Sequence, residues 1–147
     1  MKTLIAVISG TIILMLSSFT KDNVQTPPGS RMVYFNYLGY GDTIYAVVHG
    51  RVYIVERTPQ GEERIIPVSG ATITAELIGK SVKTDRDGRF SIGLAKGVYT
   101  LIVTNGSEYQ ALKMTNYVAV PDQFSDVKII LEKGSGMQTV KIPPRKY

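Results

Sequence analysis

From Met32 onward, apolar and polar residues alternate with period two, and no segment shows helical spacing. Met32–Leu38, rich in aromatics, predicts a strand, and Gly39-Tyr40-Gly41-Asp42 a turn. Thr43–Glu56 predicts a long strand, with Ile44, Ala46, Val48, Val52 and Ile54 on one face. Tyr45, Val47, His49, Arg51 and Tyr53 fall on the other face. Gly50 interrupts the inner series and marks either a bulge or a close backbone crossing. After the polar loop Thr58–Glu62, Ile65–Gly70 leads into a clean alternation. There Ala71, Ile73, Ala75 and Leu77 oppose Thr72, Thr74 and Glu76. Ile78-Gly79-Lys80 turns the chain into Ser81–Thr84. Phe90 and Ile92 share a face, as do Tyr99, Leu101 and Val103, and Asn105-Gly106 marks a turn. Further strands are expected at Tyr109–Val120, Val127–Leu131 and Gln138–Ile142, the last hinged by Gly134-Ser135-Gly136. Seven to nine short strands at these spacings predict an all-β sandwich. About 125 residues are enough for one such core.

The stretch Thr84-Asp85-Arg86-Asp87-Gly88-Arg89-Phe90 reads as a tight turn feeding a strand. Gly88 supplies a positive φ that a β-carbon disfavours. Asp85 is placed to accept backbone N–H groups inside the turn, and Thr84 to cap it. Phe90 plugs the inner face. Gly97 makes the next turn, and Tyr99 brings a buried ring with a hydroxyl for the sandwich edge. Asp85-x-Asp87-Gly88 also looks like the start of a calcium loop, but the twelfth position, which needs a bidentate acid, is Lys96. The turn reading is therefore preferred, and no metal is expected.

The N-terminus carries a different pattern. Met1-Lys2 is followed by an apolar run from Leu4 to Leu16, broken only at Ser9, Gly10 and Thr11, and then by Ser17, Ser18 and Thr20. Residues 1–20 read as a signal peptide, cleaved after Thr20. The run is short for a transmembrane helix, which needs about 20 residues, and an uncleaved anchor is the alternative. Leu16-Ser17-Ser18-Phe19 resembles a bacterial lipoprotein signal with Phe19 in place of the lipidated cysteine. That resemblance implies an exported protein, in the periplasm or at the cell surface of a Gram-negative bacterium, without a lipid anchor. Residues 21–45, with Pro27-Pro28-Gly29-Ser30, read as a leader and a candidate extra strand.

Composition removes several chemistries. The 147 residues contain no cysteine and a single histidine. Disulfides, thiolate sites, a cysteine nucleophile and a multi-histidine metal site within one chain are thereby excluded. The formal charge is 17 − 12 = +5, but the basic residues are scattered, and no nucleic-acid partner is expected. His49 has neither an orienting partner nor a nucleophile in the local sequence, so it reads as a surface histidine.

One ordered set of segments identifies more. It comprises Val48-His49-Gly50-Arg51-Val52, Pro67-Val68-Ser69-Gly70-Ala71-Thr72-Ile73, Thr84-Asp85 with Gly88-Arg89-Phe90, Gly97-Val98-Tyr99-Thr100-Leu101, and Val118-Ala119-Val120. Together these resemble the carboxypeptidase regulatory-like domain, a transthyretin-like (prealbumin-like) Greek-key β-sandwich of about seven strands. The resemblance covers residues 46–132, with an N-terminal extension before it and a C-terminal strand or tail, residues 133–147, after it. It implies a non-catalytic accessory module. Such modules follow the catalytic domain of some metallocarboxypeptidases, or precede outer-membrane receptors and other envelope proteins of Bacteroidetes-like bacteria. Hydroxyisourate hydrolases share the fold, but they carry several histidines and a C-terminal Tyr-Arg-Gly-Ser, whereas this sequence has one histidine and ends Pro144-Arg145-Lys146-Tyr147.

The expected function is binding or scaffolding in the cell envelope, without a cofactor. The partner would be another envelope protein or a surface glycan. Aromatic residues early in the chain, Tyr34, Phe35, Tyr37, Tyr40 and Tyr45, together with Tyr53, are the candidate contact residues. Two alternatives stand beside this: an accessory subunit of an envelope peptidase or outer-membrane receptor, and a small-ligand carrier of transthyretin type.

Overall fold

The computed structural model describes residues 29–41 and 43–145. The expected signal segment lies outside them. The strands in chain order are β1 (Arg31–Tyr40), β2 (Ala46–Arg57), β3 (Glu63–Pro67), β4 (Thr72–Ala75) and β5 (Lys80–Lys83). They continue as β6 (Arg89–Leu94), β7 (Gly97–Thr104), β8 (Ala111–Ala119), β9 (Gln123–Leu131) and β10 (Met137–Lys141). These ten strands make two five-stranded sheets, the all-β sandwich that the period-two pattern predicts.

The first sheet runs β1–β9–β2, and the far edge of β2 is shared: Ala46–Arg51 pair with β6 and Tyr53–Arg57 with β3. Its central pair, β2 with β9, is parallel, while β1 and β9 are antiparallel. The second sheet runs β10–β8–β7–β4–β5, and there β10 lies parallel to β8.

Alternation sends Ala46, Val48 and Val52 of β2 inward to meet Ile73 and Ala75 of β4 and Leu101 and Val103 of β7. Phe90, Ile92 and Leu94 of β6, and Val127, Ile129 and Leu131 of β9, complete the layer. Burying each of the larger of these side chains contributes about 1.5–3 kcal/mol, and this carries the fold. Phe35 of β1 and Ile142, just beyond β10, also join this core. Gly50 causes no break in either ladder. A β-carbon there would sit 2.4 Å from the Phe90 ring and 2.7 Å from Val127, so Gly50 is the slot that admits the ring.

Five details depart from expectation; the first is that Gly39 and Tyr40, expected in a turn, complete β1, because β9 extends back to Gln123 and pairs with them. Glu63–Pro67 is a strand, although its Ile65-Ile66 doublet has no alternation, because β2 runs on past β6 and offers it an edge. Ile44 is 74% exposed rather than inward, since β2 starts only at Ala46. Leu77 is 83% exposed, because β4 stops at Ala75 and Gly79 (φ 64) closes a turn onto the Ala75 carbonyl. Finally, β9 begins at Gln123, four residues before the first apolar inward position, Val127.

Candidate functional site

The segment Thr84–Phe90 works as a fastening. Asp85 Oδ1 accepts the N–H groups of Asp87 and Arg89, both at 2.9 Å. The Asp85 carboxylate is thus occupied by backbone. Gly88 has φ +77 and accepts the Val52 N–H at 2.8 Å, which seats the turn on β2. The buried Thr84 hydroxyl accepts the Ala71 N–H at 2.9 Å and donates to the Val68 carbonyl, so it locks the neighbouring connection into β4. Tyr99 reaches back past Gly97 to donate to the Ala95 carbonyl at 2.8 Å. Among the described residues, no three His, Cys, Asp or Glu side chains converge as metal ligands.

The candidate tyrosines do not form one cluster. Tyr34 and Tyr53 share the outer face of the first sheet. Tyr37 turns toward the core: its ring packs edge-on against Phe35 at 5.4 Å, and its hydroxyl donates to the Pro143 carbonyl at 2.9 Å. Tyr40 ends β1 under the Arg145 guanidinium, 4.0 Å from the ring centroid. Tyr45 precedes β2 and lies beside Lys80, 5.9 Å away.

The outer face of the first sheet carries the densest array of functional side chains. Strand register aligns them in rungs. Tyr34, Lys128, Arg51 and Arg89 cross β1, β9, β2 and β6 in one rung. Asn36, Asp126, His49 and Ser91 form the next, and Ile130, Tyr53 and Pro67 lie in the rung beyond Arg51. Tyr34 Oη donates to Asp126 Oδ2 at 3.1 Å. The Tyr34 hydroxyl, followed by Tyr53, raises the Arg51 guanidinium above its ordinary pKa. Lys128 Nζ stands 5.3 Å over the Tyr53 ring. His49 stacks on Phe124 at 5.9 Å with the planes 8° apart. Arg51, Arg89 and Lys128 stand on this face around the Asp126 carboxylate, and Arg31, opposite Ile130 in the rung beyond, is engaged by Glu132. Period-two reading placed His49, Arg51 and Tyr53 outward together. Phe124, Asp126 and Lys128 escaped it, because the parallel β2–β9 pairing joins segments about seventy-five residues apart with no local signal.

A second ionic feature was invisible to sequence reading. Glu132, only 3% exposed, receives Arg31 at 2.8 Å and Arg57 at 2.9 Å and 3.1 Å. Burial pushes its pKa up, but the guanidiniums of Arg57 and Arg31 outweigh burial and hold it below the ordinary value. Ser30 adds to the joint by donating to the Gln110 carbonyl and accepting the Glu132 N–H. The clamp ties the start of β1, the end of β2 and the exit of β9 together, a structural role.

No family model matches the chain, and no curated protein does. Among solved structures, the chain is similar to a type II cohesin–X-dockerin complex from Acetivibrio cellulolyticus, an N-terminal interface mutant. The identity is 22% and the TM-score 0.47, over 60% of this chain and 58% of that one. It is also similar to a C-terminal interface mutant of that complex, with 19% identity and a TM-score of 0.38, over 66% of this chain and 52% of that one. In both cases the chain spans less than two thirds of the matched chain's length.

Proposed function

We propose that this protein is a non-catalytic binding module of the bacterial cell envelope, an exported sandwich of carboxypeptidase regulatory-like type. It presents the outer face of β1, β9, β2 and β6 to another protein. The carrying observation is the rung of Tyr34, Lys128, Arg51 and Arg89 with Tyr53 and Phe124 beside it. Tyrosine and arginine held in register on a sheet face are the residue types that anchor protein interfaces. A protein is favoured over a glycan because Lys128 stands over Tyr53 and His49 lies flat on Phe124, so the ring faces that would stack on sugars already have neighbours. The excess of cations calls for a partner surface with carboxylates around an apolar centre.

The test is a photo-crosslinking residue placed at Tyr53, with the exposed Lys83 of the opposite sheet as control, in envelope extract. A discrete adduct is expected at Tyr53 alone, and Arg51→Glu should abolish it. A glycan array should stay blank. Equal labelling at both positions, or an adduct indifferent to Arg51→Glu, would refute the reading.

A further inference from the structure

After β10 the chain crosses from the second sheet toward β1. The Tyr37 hydroxyl holds Pro143, and Arg145 covers Tyr40. This crossing bounds a cleft of about 500 Å³, within the range of small-molecule sites. Its apolar walls are Val98, Val118 and Ile142, and the first two are more than half exposed, an apolar pair with no cover in the fold. Lys141 and Arg145 stand among the lining residues, and no carboxylate does among those described; Arg145 lies against the Tyr40 ring, which leaves Lys141 as the cation assigned to an acid.

The floor is anomalous. Gln123 lines the cleft at 1% exposure, yet neither its amide nitrogen nor its amide oxygen makes a hydrogen bond. The fully buried hydroxyls of Tyr117 and Ser125 beside it also close no bond of good geometry. Burial pushes the Tyr117 hydroxyl up to about 12, against the smaller pull of Ser125 and Gln123. The three groups lie close enough to act on one another without closing a bond, and each buried polar group left so costs about 1–3 kcal/mol. At the cleft wall Asn116 adopts φ 64 where β8 slips register against β7, an irregularity of the kind that gathers at binding sites.

We infer that this cleft binds a small amphipathic acid bearing an amide, of the class of N-acylated amino acids with an apolar side chain. The ligand's amide pairs with the Gln123 amide, which offers a donor and an acceptor together. A change of Gln123 rotamer turns this buried amide toward the cleft. The apolar side chain covers Val98 and Val118, and the carboxylate meets Lys141. This site is separate from the outer face of the first sheet, and neither reading depends on the other.

The test is an amide-resolved NMR titration of the full chain with N-acetyl-leucine, with N-acetyl-leucinamide as the uncharged arm. Saturable shifts are expected at Val98, Asn116, Val118 and Gln123, with the uncharged amide binding about tenfold weaker, the equivalent of one charged hydrogen bond. Gln123→Leu conserves volume and removes the unpaired amide. It should lose the ligand while unfolding no earlier than the parent. Lys141→Glu, which leaves the core untouched, should weaken the acid and spare the amide. The inference is overturned by an absence of saturable shifts, by unchanged binding in Gln123→Leu, or by a Gln123→Leu protein that is destabilised. The last result would show that ordered water, not a ligand, serves the amide.

Discussion

Gly88→Ala should be among the most damaging single-methyl additions in the protein, and its cost can be worked from two parts. The residue has φ +77, a conformation that costs a residue with a β-carbon about 1–2 kcal/mol. The added carbon would stand 2.6 Å from the Val52 carbonyl oxygen, 3.1 Å from Pro67 Cβ and 3.2 Å from Val68 N. Two of these three atoms are backbone and cannot rotate away. Relief requires the turn to lift from β2, which breaks the Val52 N–H to Gly88 bond and strains the Val68 N–H to Val52 bond beside it. Losing them adds about 1 kcal/mol each, for a total of about 3–4 kcal/mol. Gly70 provides the control: its φ is +82, but no atom lies within 4 Å of its added carbon. Gly70→Ala should therefore cost only the conformational part, about 1–2 kcal/mol. Urea unfolding of both variants, followed by circular dichroism with a shared m-value, measures the difference directly. At least about 2 kcal/mol should separate them, from the contact and bond losses alone. Equal destabilisation would show that the turn does not dock on β2 in the manner argued.

Two further expectations follow from buried polar contacts. Thr84→Val keeps the shape but strands the Ala71 N–H and the Val68 carbonyl, and should lower stability by about 2–3 kcal/mol in the same assay; an unchanged midpoint would deny the hydroxyl its locking role. Glu132 has a folded pKa below its ordinary 4.5, so the clamp's contribution is complete above that value and is lost as pH falls through the folded pKa. Glu132→Gln should therefore be less stable than the parent at neutral pH, with the gap narrowing on acidification, and a gap that is constant with pH would contradict the ionised clamp.

What the sequence disclosed follows from the range of each signal. The alternation of Ala71, Ile73 and Ala75, or of Tyr99, Leu101 and Val103, is written in adjacent residues and needs only a buried face to be read. The inward Phe90 was legible, but Gly50 read as a bulge or a close backbone crossing; that it is the slot for the Phe90 ring was not legible, because the pairing of β2 with β6 is set forty residues apart. The Glu132 clamp was hidden for the same reason: Arg31, Arg57 and Glu132 carry no mutual signal until β1, β2 and β9 lie side by side. The early tyrosines misled as a group because proximity in sequence was read as proximity in space. Along β1 the side chains alternate between outer face and core, which sends Tyr34 outward and Phe35 inward, and the loop before β2 carries Tyr45 away from both.

Strand β9 shows why sequence and structure part company most sharply at the places where binding is proposed. Its first half reads Gln-Phe-Ser-Asp, with polar residues at the inward positions 123 and 125 and an aromatic at the outward position 124. That is the inverse of a normal half-buried strand, so hydrophobic patterning starts the strand only at Val127. The inversion adds no apolar packing: Gln123 and Ser125 lie beside the Tyr117 hydroxyl without closing a bond of good geometry, and the Phe124 ring stacks on His49. Local rules broken without a structural return are where function is to be sought. The strand's own geometry also makes the two readings separable. Successive side chains point to opposite faces, so Phe124, Asp126 and Lys128 act only on the outer sheet face, while Gln123 and Ser125 act only on the inner side. Substitutions at Phe124, Asp126 or Lys128 should move partner crosslinking and leave ligand shifts alone, and substitution at Gln123 should do the reverse.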